Sequence, residues 1–249
     1  MAERYTEYDS FAWFYNRHWG SSFTDRFLAV IEKLLLSHLS PGARILDLCC
    51  GTGQLAQLLG DQGFQVAGID GSEAMLAFAR TNAPGVEFTV ADARAFTLPP
   101  IYHGAVSSGD SLNHLMTLGD LTSVFDNVHS ALVEGGSFLF DLNMEEGYRA
   151  RWRGSFAFVE DENVCAVRGS YDPDEKVGRF ALTMFRLEEG SWRRSDLTLL
   201  QRCYSQTQVE SALAEAGFRD VSTYDVERDL GISRDVGRTF FLARKERRH

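Results

Sequence analysis

The stretch Arg44-Ile45-Leu46-Asp47-Leu48-Cys49-Cys50-Gly51-Thr52-Gly53-Gln54 decides the fold. A short apolar run, strand-like in length and composition, enters a glycine-rich turn, and a helical pattern begins at Gln54. Glycines at 51 and 53 let the backbone turn sharply and approach a ligand at the carboxyl end of a sheet. A nucleotide-like cofactor is therefore expected. Gly51, Gly53 and Ala56 also satisfy the dinucleotide pattern G-x-G-x-x-A, and Asp70 stands 19 residues past Gly51, close to where a ribose-binding acid belongs. On that motif alone a nicotinamide dinucleotide fits. Asp47 argues otherwise, because a carboxylate four residues before the first glycine repels a pyrophosphate and attracts a cation. S-adenosylmethionine, with its sulfonium and ammonium groups, suits such a loop. Asp92, in VADARAF, adds a third acid after a third strand, placed to accept from an adenine amino group while Ala93 offers its N–H.

Outward from this loop the chain alternates apolar runs with helical patterns. Strands are predicted over Arg44 to Cys49, Gln65 to Asp70, Val86 to Ala91, His103 to Ser108 and Ser137 to Leu142. Helices are predicted over Gln54 to Gln62, Ser72 to Asn82 and Gly119 to Leu132, with Glu134-Gly135-Gly136 turning into the fifth strand. This is the α/β pattern of a Rossmann-like, doubly wound sheet, brought to seven strands by Phe218 to Val226 and Arg238 to Ala243. Ser205 caps a helix from Gln206 to Ala216. Residues 151–204 break the alternation: strand-like runs separated by Asp172-Pro173-Asp174 and Glu189-Gly190 read as an antiparallel β insert. Residues 1–39, aromatic-rich and then helical from Thr24 to His38, read as an N-terminal lid. Residues 40–150 and 205–249 form the main domain.

The 249 residues are 44% hydrophobic and 24% charged, enough for a sizeable core. No apolar run reaches membrane-spanning length and MAERYTEYDS carries no secretory pattern, so a cytoplasmic protein with free thiols is expected. The net charge of −10 disfavours nucleic acid, and the basic end ARKERRH reads as a solvated tail. No Cys/His spacing suggests a metal.

ILDLCCGTG, GIDGSEAML, ADAR, GDSLNHL and VEGGSFLFDLN, in that order, resemble the motifs of the class I S-adenosylmethionine-dependent methyltransferases. YDSFAWFYN is similar to the opening segment of their small-molecule branch, and GDSLNHL with a later antiparallel insert is similar to a bacterial subgroup. The resemblance implies S-adenosylmethionine as cofactor and assigns roles. Asp47, Cys49, Gly51 and Gly53 line the methionine end, and Asp70 holds the ribose. Gly71, Ser72 and Met75 flank the adenine, whose edge Asp92 and Ala93 read. Residues Ser108 to Asn113, Asp110 among them, floor the transfer site, and Tyr8 and Tyr15 close over the cofactor. Cys49 replaces a frequent glycine and Asn16 a frequent aspartate.

The expected activity is methyl transfer to a small polar metabolite through nitrogen or oxygen by a monomer or homodimer. Tyr15, Asn113 and His114 are the candidates beside the reacting atoms. In the insert, Arg168, Arg202 and Tyr204 lie opposite the apolar face and bind substrate if that face turns to the cleft; otherwise it is a solvated surface. RNA or protein methylation, a cofactor-binding regulator and an oxidoreductase stay open. LPPIY at 98–102 precedes the fourth strand and lacks the leading Asn or Asp of nucleobase amino methyltransferases, which excludes that activity.

Overall fold

In the computed structural model, which describes residues 8–247, the decisive apolar run is a strand near the middle of the sheet. Ile45, Leu46 and Leu48 have no exposed surface, the burial expected of a strand covered by helices on both faces. In chain order the elements are α1 (Ala12–His18), α2 (Gly20–Leu34), β1 (Arg44–Leu48), α3 (Gln54–Asp61), β2 (Gln65–Asp70), α4 (Glu73–Asn82), β3 (Glu87–Val90), β4 (Tyr102–Ser107), α5 (Leu118–Ala131) and β5 (Leu132–Asn143). There follow α6 (Glu145–Arg151), β6 (Gly154–Glu160), β7 (Asn163–Asp172), β8 (Val177–Glu188), β9 (Ser191–Arg202), α7 (Gln206–Glu215), β10 (Phe218–Asp225) and β11 (Arg238–Lys245).

The main sheet has seven strands in the order β10-β11-β5-β4-β1-β2-β3. β1 pairs in parallel with both β2 and β4, so successive crossovers leave it in opposite directions. The carboxyl ends of β1 and β4 therefore open a crevice, the usual ligand position in such sheets. β11 runs antiparallel between β5 and β10, which brings the start of β11 beside the end of β5.

Several elements depart from expectation. α2 starts at Gly20 and gives way to a 3-10 turn at Leu36–His38. It is no lid: Phe27, Val30 and Ile31 pack with Ile45, Val106, Leu139 and Phe240, so α2 belongs to the helical layer of the sheet. The segment before it lies over the crevice, to which α2 adds Arg26. β5 runs straight through Glu134-Gly135-Gly136, and Gly135 takes φ 78° as an irregularity within the strand. α6 has no counterpart in the sequence reading, because its seven residues are too few to show a period.

Residues 154–202 form a separate antiparallel sheet, β6-β7-β8-β9. Its inner face carries Cys165, Val167, Leu182, Met184 and Leu199, which pack on Phe11, Phe14 and Met75. The acidic opening at residues 1–7 and the last two residues of the basic tail lie outside the described residues. Among the described residues no helix is long and apolar enough to cross a membrane.

Candidate active site

A cleft with about 1410 Å³ of empty volume, open solvent included, lies at the carboxyl ends of β1, β2 and β4, beneath α1 and the inner face of the second sheet. One end is built from the glycine loop. Cys49, Gly51, Asp70, Gly71, Met75, Asp92 and Ala93 line it. Asp70 holds the loop in place: its Oδ2 accepts from Gly51 N–H (2.9 Å) and its Oδ1 from Ser72 N–H (2.9 Å). Burial pushes its pKa up against these bonds.

Asp47 does not line the cleft but lies under the loop, 2% exposed, and its Oδ2 is buried without a hydrogen-bond partner. Burial first, and Asp70 second, push its pKa up to about 8. Asp92 is gripped by the Arg94 guanidinium, with Nη2 2.6 Å from Oδ2, and by Arg94 N–H at 2.8 Å. Burial works against its charge, but Arg94 prevails and the pKa falls below the usual carboxylate range.

Tyr8 and Tyr15 both reach the cleft from the N-terminal segment. Burial, reinforced by Asp110, Asp70 and Asp47, pushes the Tyr15 phenol well up, so it stays protonated and can only donate or accept a hydrogen bond. Tyr8 meets His114 edge-on at 5.4 Å.

Other expected site residues are committed elsewhere. Gly53 does not line the cleft. It takes φ 81°, and a Cβ there would stand 2.9 Å from Ala79 Cα, so it permits the loop to pack on α4. Gly53→Ala should therefore cost about 2 kcal/mol or more of stability, checked by thermal denaturation. Ser72 caps α4: its Oγ accepts from Met75 N–H (3.2 Å) and donates to Asp9 Oδ1 (2.6 Å), and it is 1% exposed. The Ser108 carbonyl accepts the Ser111 hydroxyl at 3.0 Å, and residues 109–112 face the cleft instead.

Asn113 is not a catalytic group. It is fully buried, donating to Asn143 O (3.2 Å) and Arg202 O (2.9 Å) and accepting from Asn143 N–H (2.8 Å), so it ties β5 to β9. His114 lines the cleft, yet its Nδ1 faces Leu200 O (2.8 Å) and must donate, leaving Nε2 to accept from Gln201 Nε2 (3.1 Å). Burial lowers its pKa, which makes it a neutral ring with both nitrogens engaged and no free base.

The expected insert residues do not line the cleft either. Arg168 is exposed on the outer face of β7. Arg202 turns outward to donate to Glu175 O (2.7 Å). Tyr204 lies past β9, 2% exposed, with its hydroxyl donating to the carbonyl oxygens of Leu115 and Thr117. The second sheet turns its apolar face inward, since that face alone gains by leaving water.

The opposite end of the cleft is where the sequence reading is thinnest. Phe11, Trp19, Trp152, Phe180 and Leu199 wall it, and Asn143, Gln201 and Arg238 close its base. Arg238 is 2% exposed and pairs with Asp110 (3.0 Å), Asp141 and Asp235 (3.5 Å). Asp110, at φ 53°, also accepts from Asn143 Nδ2 (2.8 Å) and Gln201 Nε2 (2.6 Å). Asp141 in turn accepts from the N–H groups of Gly109 (2.8 Å) and Asp110 (3.0 Å), which fixes the loop after β4. Of this network the sequence pointed to Asp110; Arg238, opening the apolar strand R-T-F-F-L-A, was a signal that could have added the cation.

Residues 45–136 match the model of a methyltransferase domain family. The chain is 30% identical over 220 residues to the methyltransferase-family protein YqeM of Bacillus subtilis, covering 86% of this chain and 89% of that one. It belongs to the class I S-adenosylmethionine-dependent methyltransferases. A methyltransferase-family protein of Geobacillus sp. (strain WCH70) is 29% identical over 248 residues, 96% and 99% of the two chains. The crystal structure of an S-adenosylmethionine-dependent methyltransferase from Clostridium acetobutylicum superposes with a TM-score of 0.78 at 21% identity, over 96% of this chain and 99% of that one.

This methyltransferase uses S-adenosylmethionine, and the chemistry of the glycine-loop end fits that cofactor. The loop places no basic side chain in the cleft among residues 45–79, so a pyrophosphate would meet Asp70 without a cation to offset it. The unpartnered Asp47 oxygen is the converse observation, a buried acceptor beneath the loop suited to a cation.

Proposed function

We propose that this methyltransferase acts on a small polar metabolite, at nitrogen or oxygen. The observation that carries the reading is a single cleft joining the acidic glycine-loop end to an end walled by Trp19, Trp152 and Phe180. A cleft walled by aromatic side chains suits a small molecule better than a polymer, and the net charge of −10 works against RNA. Two relatives agree in kind. A glycine/sarcosine N-methyltransferase of Aphanothece halophytica is 28% identical over 199 residues. A trans-aconitate 2-methyltransferase of Acidovorax ebreus is 49% identical over 165 residues.

In this reading Asp47 lies beneath the ammonium end of the cofactor, and Asp70 accepts from the ribose hydroxyls with its remaining lone pairs. Met75 packs on the adenine; Ala93 and Asp92 lie at its edge. Tyr8 and Tyr15 close the N-terminal segment over it. The cofactor, when bound, supplies an electrophilic methyl group. The protein holds the acceptor atom about 3 to 3.5 Å away and in line, while Phe11, Trp19 and Trp152 exclude water. Tyr15 keeps its proton and orients the acceptor by hydrogen bonding. With His114 neutral and engaged, catalysis rests on positioning, which suits a neutral amine or an already ionised oxygen.

Calorimetric titration tests the reading: S-adenosylhomocysteine should bind saturably and NAD should not. Asp70→Ala should weaken that binding by about 10- to 100-fold, the range for a hydrogen bond to a charged group. Asp70→Asn, which keeps one acceptor, should lose less. Unchanged affinity in both variants removes Asp70 from the ribose.

A further inference from the structure

We propose that Arg151 anchors a carboxylate of the methyl acceptor, so that the substrate class is small organic acids, amino acids included. The inference rests on the methyltransferase reading and narrows its acceptor. Arg151 is the last residue of α6 and lines the aromatic end of the cleft beside Trp152 and Phe180.

Its surroundings separate it from the other cleft arginines. Arg238 is neutralised by Asp110, Asp141 and Asp235, and Arg26 pairs with Asp235 at 2.9 Å. Arg151 has no carboxylate within ion-pair distance among the described residues. It spends Nε on Val236 O (3.1 Å) and Nη2 on Asn143 Oδ1 (2.5 Å), both neutral acceptors. Its Nη1 donates to no described residue and keeps accessible surface, on a side chain that lines the cleft. A half-buried guanidinium with an open edge and a fixed stem is a receptor for a carboxylate, which it can meet with parallel hydrogen bonds.

The local fold maintains this pose. Gly147, one turn earlier in α6, leaves no room for a side chain: a Cβ would lie 2.9 Å from Arg151 Nη2 and 2.8 Å from Gly237 O. The glycine thus lets the guanidinium fold back along α6 and lets α6 press on the loop before β11. The link to the transfer site is short, since Asn143 accepts from Arg151 and donates to Asp110 in the loop after β4. The carboxylates nearby are already saturated by Arg238, Gln201 and backbone N–H groups, so they do not compete for the open edge. Burial and the nearby positive charge of Arg238 depress the Arg151 pKa, which an arriving anion would relieve. A carboxylate held there has its charge drawn to the guanidinium and is a poor nucleophile. The methylated atom is then a second group on the same acid, an amine or a further oxygen.

The test uses the protein saturated with S-adenosylhomocysteine, titrated with glutamate, succinate and phenylacetate and with their amides. At least one acid should bind while its amide does not. Arg151→Gln should weaken that acid by tenfold or more and leave S-adenosylhomocysteine affinity unchanged, and Arg151→Lys, which keeps the charge without the fork, should fall between. Binding of amides as tightly as acids, binding of none of the acids, or equal affinity in Arg151→Gln would overturn the proposal. Failure of the unaltered protein to bind S-adenosylhomocysteine would instead sink the proposed use of this cleft beneath it.

Discussion

Asp47→Asn is expected to raise the stability of the ligand-free protein at pH 8 while weakening its hold on S-adenosylmethionine about 100-fold, the scale for losing one side of a buried charge pair. The two effects share a cause. The carboxyl is 2% exposed, and burial and Asp70 push its pKa from 3.8 up to about 8. Between those values the folded protein keeps a proton that the unfolded chain has released. Stability contributed by this group is thus highest below pH ~4 and falls as pH rises toward ~8.

Asparagine imitates the protonated acid at every pH and removes that penalty. Its amide hydrogens would take over the unpartnered position of Oδ2, so part of the gain is returned, and a net stabilisation of about 2 to 4 kcal/mol follows. The melting temperature at pH 8 should rise by roughly 5 to 10 °C, and at pH 4 the advantage should vanish. Cofactor binding by the unaltered protein at pH 7 should release close to one proton, visible as buffer-dependent binding heat. A melting temperature at pH 8 that falls in Asp47→Asn would refute the account.

The glycine-loop end of the cleft was legible because it is local. Asp47, Gly51, Asp70 and Met75 each sit at a fixed offset from a strand end, and strand ends follow from apolar runs and glycine turns. The far half is assembled from residues with no such relation. Arg238 meets Asp141 only because β11 pairs antiparallel with β5 in one particular register. Gln201 reaches Asp110 from a different sheet, and Trp19 reaches Phe158 across the gap between α1 and β6. Which face of the insert turns inward was readable as an apolar-polar alternation, but a polar face near a cleft competes with a solvated surface, and burial of Leu182 and Leu199 decided it. Asn113 and Tyr204 misled for a related reason: a buried polar side chain must be satisfied, and here backbone groups satisfy both. Arg151 escaped notice because α6 is too short to declare itself as a helix.

The largest loss is expected at Arg238. In Arg238→Met the side chain keeps its apolar length against Phe27, over which the guanidinium lies at 5.2 Å, but Asp110 and Asp141 lose their common cation in a site where Asp141 is sealed from water and Asp110 is nearly so. Breaking such a buried pair costs about 3 to 5 kcal/mol, a fall of roughly 10 °C or more in melting temperature for a chain of this length. The pH dependence identifies the cause. In the unaltered protein burial alone would raise the Asp110 pKa, yet Arg238, ahead of Gln201, holds it below the usual range. Its contribution is present above pH ~4 and is lost only as pH falls through that depressed value. Without Arg238 the same carboxyl titrates upward, so the variant should regain stability relative to the unaltered protein as pH drops from 8 to 5. Arg238→Met combined with Asp110→Asn should recover part of the loss at pH 8, since one stranded charge is gone and Asp141 keeps its bonds from Gly109 and Asp110 N–H. Those bonds set the loop that floors the cleft after β4. Methyl transfer by Arg238→Met should therefore fall further than its folded fraction at the assay temperature explains, and a rate that tracked the folded fraction alone would reduce this network to a stabilising one.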